Sequence, residues 1–148
     1  MKAPLLIQVD LLGGADEPVR SRWLPLLARL AQDDRPVLLL AERPDRWAPT
    51  RSRVDRAFQR QSEIEAEVRR AGGALDGVIY VDLGLFSRRR QHERIVADLA
   101  NRYDAQLGDL ALIARPGKLA EVVTPFVGAS ELVEDDTAFE RALEAELS

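Results

Sequence analysis

Leu5-Leu6-Ile7-Gln8-Val9-Asp10-Leu11-Leu12-Gly13-Gly14 is a short apolar run that stops at one carboxylate and then at two glycines. A run of this kind, bounded by glycine, suits a central parallel strand, because helices cover both sides of such a sheet and both faces of the strand are apolar. Ligands of open α/β sheets gather at the carboxyl ends of the strands. Asp10 therefore stands where chemistry would be done.

The same pattern repeats downstream. Asp16 can cap a helix with Glu17 and Pro18 in its first turn and Trp23, Leu26, Leu27 and Leu30 on one face. Pro25 lies inside that span and should bend the helix or delay its start, since it lacks a backbone N–H. Residues 37–41 form a second strand ending at Glu42-Arg43, followed by a loop from Pro44 to Pro49 that carries Trp47. Thr50 is the expected cap of a long helix reaching about Arg70, with Val54, Phe58, Ile64 and Val68 as its apolar face and Glu63, Glu65 and Glu67 on a solvated exterior. Gly72-Gly73 ends it.

Residues 78–81 make a third strand ending at Asp82. A loop with Phe86 and Arg88-Arg89-Arg90 leads into a helix faced by Ile95, Val96, Leu99 and Tyr103. Residues 110–114 form a fourth strand, with Arg115-Pro116-Gly117-Lys118 at its tip. A short helix over 118–123, a fifth strand near 131–133 and a final helix complete the chain. Thr137 and Glu140 match a capping box for that last helix, whose apolar residues are Phe139, Leu143 and Leu147. The alternation predicts an α/β, three-layer Rossmann-like domain over residues 1–148, with a five-stranded, mostly parallel sheet and helices on both faces.

Composition narrows the function classes. There is no cysteine and a single histidine, His92, which excludes thiolate nucleophiles, disulfides and multi-histidine metal sites. His92 falls at the start of a helix without an evident partner. The net charge of −4 argues against general nucleic-acid affinity. The apolar runs are far shorter than the roughly 20 residues that cross a bilayer, and no signal-peptide pattern precedes the first strand, so the expectation is a soluble cytoplasmic protein with no membrane association. Arginine is dense between Arg43 and Arg60 and at 88–90, whereas the C-terminal stretch from Glu131 is acidic.

With these elements in place, the chain resembles the haloacid dehalogenase (HAD) superfamily, in particular the compact histidinol-phosphate and heptose-bisphosphate phosphatases that lack a separate cap domain. The likeness rests on the strand ending at Asp10, the strand 37–41 followed by a variable loop and long helix, the segment Gly77-Val78-Ile79-Tyr80, and the helix and strand before Arg115. The resemblance implies a nucleophilic aspartate at Asp10, with a second acid two residues on as general acid and base. Leu12 stands there. It also implies a Ser or Thr after the second strand, where Ala41 and Glu42 stand, and a lysine near the third strand, for which Arg89 is the best match. Finally, it implies two Mg²⁺-holding acids after the fourth strand, where Arg115 and Leu119 stand.

A leucine cannot shuttle a proton, and Mg²⁺ needs oxygen ligands that these positions do not supply. The expectation is therefore a degenerate, non-catalytic HAD-like module without a cofactor, its Mg²⁺ site lost. It would bind a protein partner or a small anionic ligand through Arg43, Arg89, Arg115 and Lys118, a positive rim around Asp10. Arg115 is expected beside Asp10, in place of the metal. The alternative is a weak or altered hydrolase in which Asp10 acts with Glu42 or Asp82. A plainer reading has the rim arginines pairing with the chain's own acids.

Overall fold

The computed structural model of the protein describes residues 2–14, 17–43, 51–84 and 87–147, with residues 51–53 in their backbone alone. Asp16, the loop 44–49 with Trp47, Thr50 and Phe86 lie outside the described residues, as do the side chains of Arg51 and Arg53. The elements run β1 (Leu5–Gln8), α1 (Leu24–Gln32), β2 (Val37–Glu42), α2 (Arg51–Arg70), β3 (Gly77–Val81), α3 (Arg89–Arg102), β4 (Ala111–Ala114), α4 (Lys118–Val123), β5 (Ala129–Leu132) and α5 (Asp136–Ala145). All the pairings in the sheet are parallel, and its order is β3-β2-β1-β4-β5.

Alternation along the strands sorts the side chains into two cores. Leu5, Ile7, Val37, Leu39 and Ile113 pack beneath Trp23, Leu27 and Leu30 of the α1 region, Ile64 and Val68 of α2, and Phe139 and Leu143 of α5. Leu6, Leu38, Leu40, Val81 and Leu112 pack beneath Val96 and Leu99 of α3, Leu119 and Val123 of α4, and Phe126. Period-two alternation sends neighbouring strand residues to opposite faces, which is why nearly every residue of the inner strands is apolar. The result is the three-layer α/β architecture that the sequence predicts. No described helix is long and apolar enough to cross a membrane.

Several boundaries move for identifiable reasons. β1 stops at Gln8 and the chain turns into a 3₁₀ turn, Val9–Leu11, so Asp10 lies just beyond the strand and not at its last residue. The first helix begins at Leu24, with Pro25 in its first turn, where a missing N–H is harmless. Pro25 thus delays the helix and does not bend it. The last helix is capped by Asp135, whose carboxylate accepts the Ala138 N–H at 2.8 Å, and Thr137 lies inside the first turn. Asp is a strong cap and lies where the chain leaves β5; the Thr137–Glu140 box does not form. Gly72, at φ +92°, takes the left-handed conformation that ends α2.

Two residues of α2 are used differently from the sequence expectation. Glu67 is not part of a solvated exterior: its Oε2 accepts the Val19 N–H at 2.7 Å and pins the β1–α1 connection to α2. Phe58 does not complete the buried face of α2. It is half exposed and meets Tyr80 edge to face at 5.9 Å.

Candidate functional site

Asp10 is exposed at the tip of β1, and its carboxylate accepts a long 3.3 Å hydrogen bond from Gln8 Nε2. The other end of the same amide accepts the backbone N–H of Arg115 at 2.9 Å. A neutral side chain thus joins the tips of β1 and β4, where the resemblance implies a cation. Arg115 itself is exposed, and no ion pair between it and Asp10 occurs among the described residues. The expected Asp10–Arg115 contact is corrected accordingly: β4 delivers its backbone to β1 through Gln8, and the guanidinium goes to water. Gln8 was discernible as the single polar residue in the first apolar run.

Leu12 and Leu119 do not face the strand tips. Leu12 is completely buried among the side chains around Trp23, and Leu119 packs in the other core beside Val123. Ala114 is equally buried. Among the described residues no three histidine, aspartate or glutamate side chains converge on a point that could hold a metal ion. The donor set therefore does not fit the Mg²⁺ that the resemblance implies.

Sheet order separates Asp10 from Asp82, one of the two acids named as its alternative partners. Asp10 follows β1 and Asp82 follows β3, with β2 between them, a separation of about 10 Å at about 4.8 Å per strand. Asp82 Oδ1 instead accepts the Gly84 N–H at 2.8 Å and shapes its own loop. Glu42 is exposed at the end of β2.

Arg89 and Lys118 do not rim Asp10: they line a cleft on the α3–α4 face, whereas Asp10 lines a cleft on the opposite face. On the α3–α4 face, Arg89 and Lys118 converge on a cleft of about 430 Å³ that Ser87 and His92 also line. Arg89 lays its guanidinium over the Phe126 ring at 5.1 Å, and Lys118 Nζ donates to the Leu83 carbonyl at 3.4 Å. His92 is buried and has a partner after all: Nε2 donates to the Asp82 carbonyl at 2.9 Å, which assigns the ring proton to that nitrogen. Arg43 is exposed beyond β2, its backbone N–H bonded to the Val81 carbonyl at 2.8 Å.

On the opposite face a cleft of about 750 Å³ lies between Asp10 and α2, lined also by Gly13, Arg56, Arg60, Gln61, Glu63 and Tyr80. Tyr80 Oη donates to Gln61 Oε1, and burial, with Glu65 nearby, raises its pKa. Arg56 and Arg60 were visible in sequence only as part of an arginine-rich stretch. Their four-residue spacing on one helix face is the signal that could have singled them out.

No protein-family profile matches the chain, and no curated protein sequence does. Solved structures do. A D,D-heptose bisphosphate phosphatase from B. bronchiseptica, complexed with magnesium and phosphate, superposes with a TM-score of 0.69 at 16% identity, over 100% of this chain and 89% of that one. The cobalt-bound deoxy-D-mannose-octulosonate 8-phosphate phosphatase of Haemophilus influenzae gives 0.58 at 14% identity, over 96% of this chain and 74% of that one. A Streptomyces avermitilis protein described as a HAD family hydrolase gives 0.50 at 12%, over 97% and 72%. At such identities the likeness speaks to architecture, and the conclusion is architectural: the chain has the fold of the haloacid dehalogenase phosphatases.

Proposed function

We propose that this chain is a non-catalytic HAD-fold module, a pseudophosphatase that holds a small anion at the cleft between the starts of α3 and α4 without turning it over. The convergence of Arg89 and Lys118, from two separate loops, on one cleft carries the reading. Phe126 occupies only the face of the Arg89 guanidinium, so its edge, with N–H groups in a fork, is available for an oxyanion. The 14-residue α3 begins at the same place and adds the positive end of its dipole. Arg43 and Arg115, exposed at the tips of β2 and β4, extend the positive edge.

The loss of turnover is supported by Leu12 and Leu119, apolar and buried where phosphoryl transfer would need a proton shuttle and a metal ligand, and by Arg115, a cation where a second metal ligand would stand. Titration with inorganic phosphate, nucleotides and sugar phosphates tests the binding half. Saturable binding at low salt is expected, weakening as salt screens the cations and falling about tenfold in the Arg89→Gln/Lys118→Gln double variant. No binding at low salt, or binding indifferent to the double variant, would contradict the small-anion reading and leave an acidic protein surface as the occupant.

A further inference from the structure

We propose that the cleft between Asp10 and α2 is a second binding site, for a small organic monoanion: a carboxylate carried on an apolar body, with Arg60 as its charged anchor. The inference is independent of the α3–α4 cleft, because it rests on different residues on the other face of the sheet. Its starting point is an unsatisfied group. The Arg60 side chain is only 16% exposed, and its Nη2 is buried without a hydrogen-bond partner. Guanidinium groups almost never lie buried without an acceptor, because the lost hydration has no replacement. Glu63 does not supply one: it approaches the other nitrogen, Nη1, at 3.9 Å, with a side chain that is 52% exposed.

Gly13 makes the room. A Cβ at that position would sit 2.9 Å from Arg60 Nη2 and 2.8 Å from the Pro18 carbonyl oxygen, so the close approach of the guanidinium to the turn requires glycine there. The cleft's volume of about 750 Å³ suits a small molecule. Its wall is apolar where Val9, Ile64 and Val78 line it, and the Tyr80 hydroxyl is already engaged by Gln61.

Charge selects the ligand class. Arg56, Arg60 and Glu63 line the α2 side of the cleft and Asp10 the other, so the cations are matched in number by acids. A doubly charged phosphate would meet two carboxylates, whereas one carboxylate can take the paired donors of a guanidinium and leave its apolar body against the wall.

The test uses benzoate and octanoate as probes and benzamide as the neutral control, followed by calorimetry and by ligand-observed NMR. Both carboxylates should bind and raise the melting temperature, with benzamide at least tenfold weaker. Arg60→Met, which keeps the buried stem and removes the orphaned N–H groups, should weaken benzoate about 10- to 100-fold while leaving the melting temperature of the free protein equal or higher. Arg56→Gln, at an exposed position that folding does not depend on, should weaken it severalfold. Equal binding of benzamide, absence of carboxylate binding, or an Arg60→Met protein that melts lower and binds benzoate unchanged would each overturn the proposal. Failure of the α3–α4 cleft is read separately, with phosphate and the Arg89→Gln/Lys118→Gln protein.

Discussion

Leu12 occupies the position at which the HAD resemblance implies an acid/base aspartate, and its side chain is wholly enclosed by the core around Trp23. Restoring the acid at this position should fail on physical grounds. Leu12→Asp would remove buried apolar surface and place an unpaired carboxylate in its stead, at a cost of about 3 kcal/mol or more. Urea denaturation should show the full loss at neutral pH and a smaller one in mild acid, where the raised carboxyl pKa lets the group take a proton. No phosphatase activity should appear in this variant. Tyr103 gives a second residue-level expectation. Burial, helped by its 2.8 Å hydrogen bond to Asp76, pushes its pKa up to about 12. A folded-state pKa above the unfolded value of about 10 means the phenol stabilises the fold fully below that unfolded value. The contribution is lost as pH rises through the folded pKa. Tyr80 is raised as well, so an ultraviolet titration of the folded protein should find neither tyrosine ionising at the ordinary value. Tyr103→Phe should flatten the alkaline fall in stability.

At the scale of elements, the apolar runs and their punctuation were enough to find strands β1 to β4, because burial leaves little choice of residue in a central parallel strand; β5, Ala129–Leu132, is exposed at the sheet edge, and the expectation of a strand at 131–133 only overlaps it. What local pattern could not supply was the choice between neighbouring caps. Thr137–Glu140 matched a reciprocal box, yet Asp135 takes the role because the chain turns out of β5 at that point. Asp135→Ala should cost about 1 kcal/mol in denaturant unfolding and Thr137→Ala less than about 0.5 kcal/mol; the reverse order would favour the box. Glu67 was illegible for another reason. Its partner is the Val19 N–H, 48 positions away, and no helical periodicity announces a bond to a distant loop. The same holds for His92, whose bond to the Asp82 carbonyl arises only when α3 folds back onto β3.

At the scale of the molecule, three of the C-terminal acids are taken up by the fold itself. Asp136 and Glu140 of α5 pair with Arg20 and Arg22, just before α1, and Glu146 pairs with Arg35 at 3.0 Å. This self-pairing engages arginines around α1, and among the described residues no ion pair joins the acidic tail to Arg43, Arg89, Arg115 or Lys118. The sequence placed Asp10, Arg43, Arg89, Arg115 and Lys118 at one edge of the sheet. It could not show that Asp10 would line a cleft against α2 while Arg89 and Lys118 line another on the opposite face, since a loop's sequence position does not reveal the side to which it folds. The central claim is that an intact HAD architecture here lacks metal-dependent phosphoryl transfer, and it is tested most directly by measuring phosphate release from a broad panel of phosphomonoesters with Mg²⁺, for the native chain beside Asp10→Asn. The account predicts the same background release from both proteins; saturable turnover by the native chain that vanishes in Asp10→Asn would contradict it.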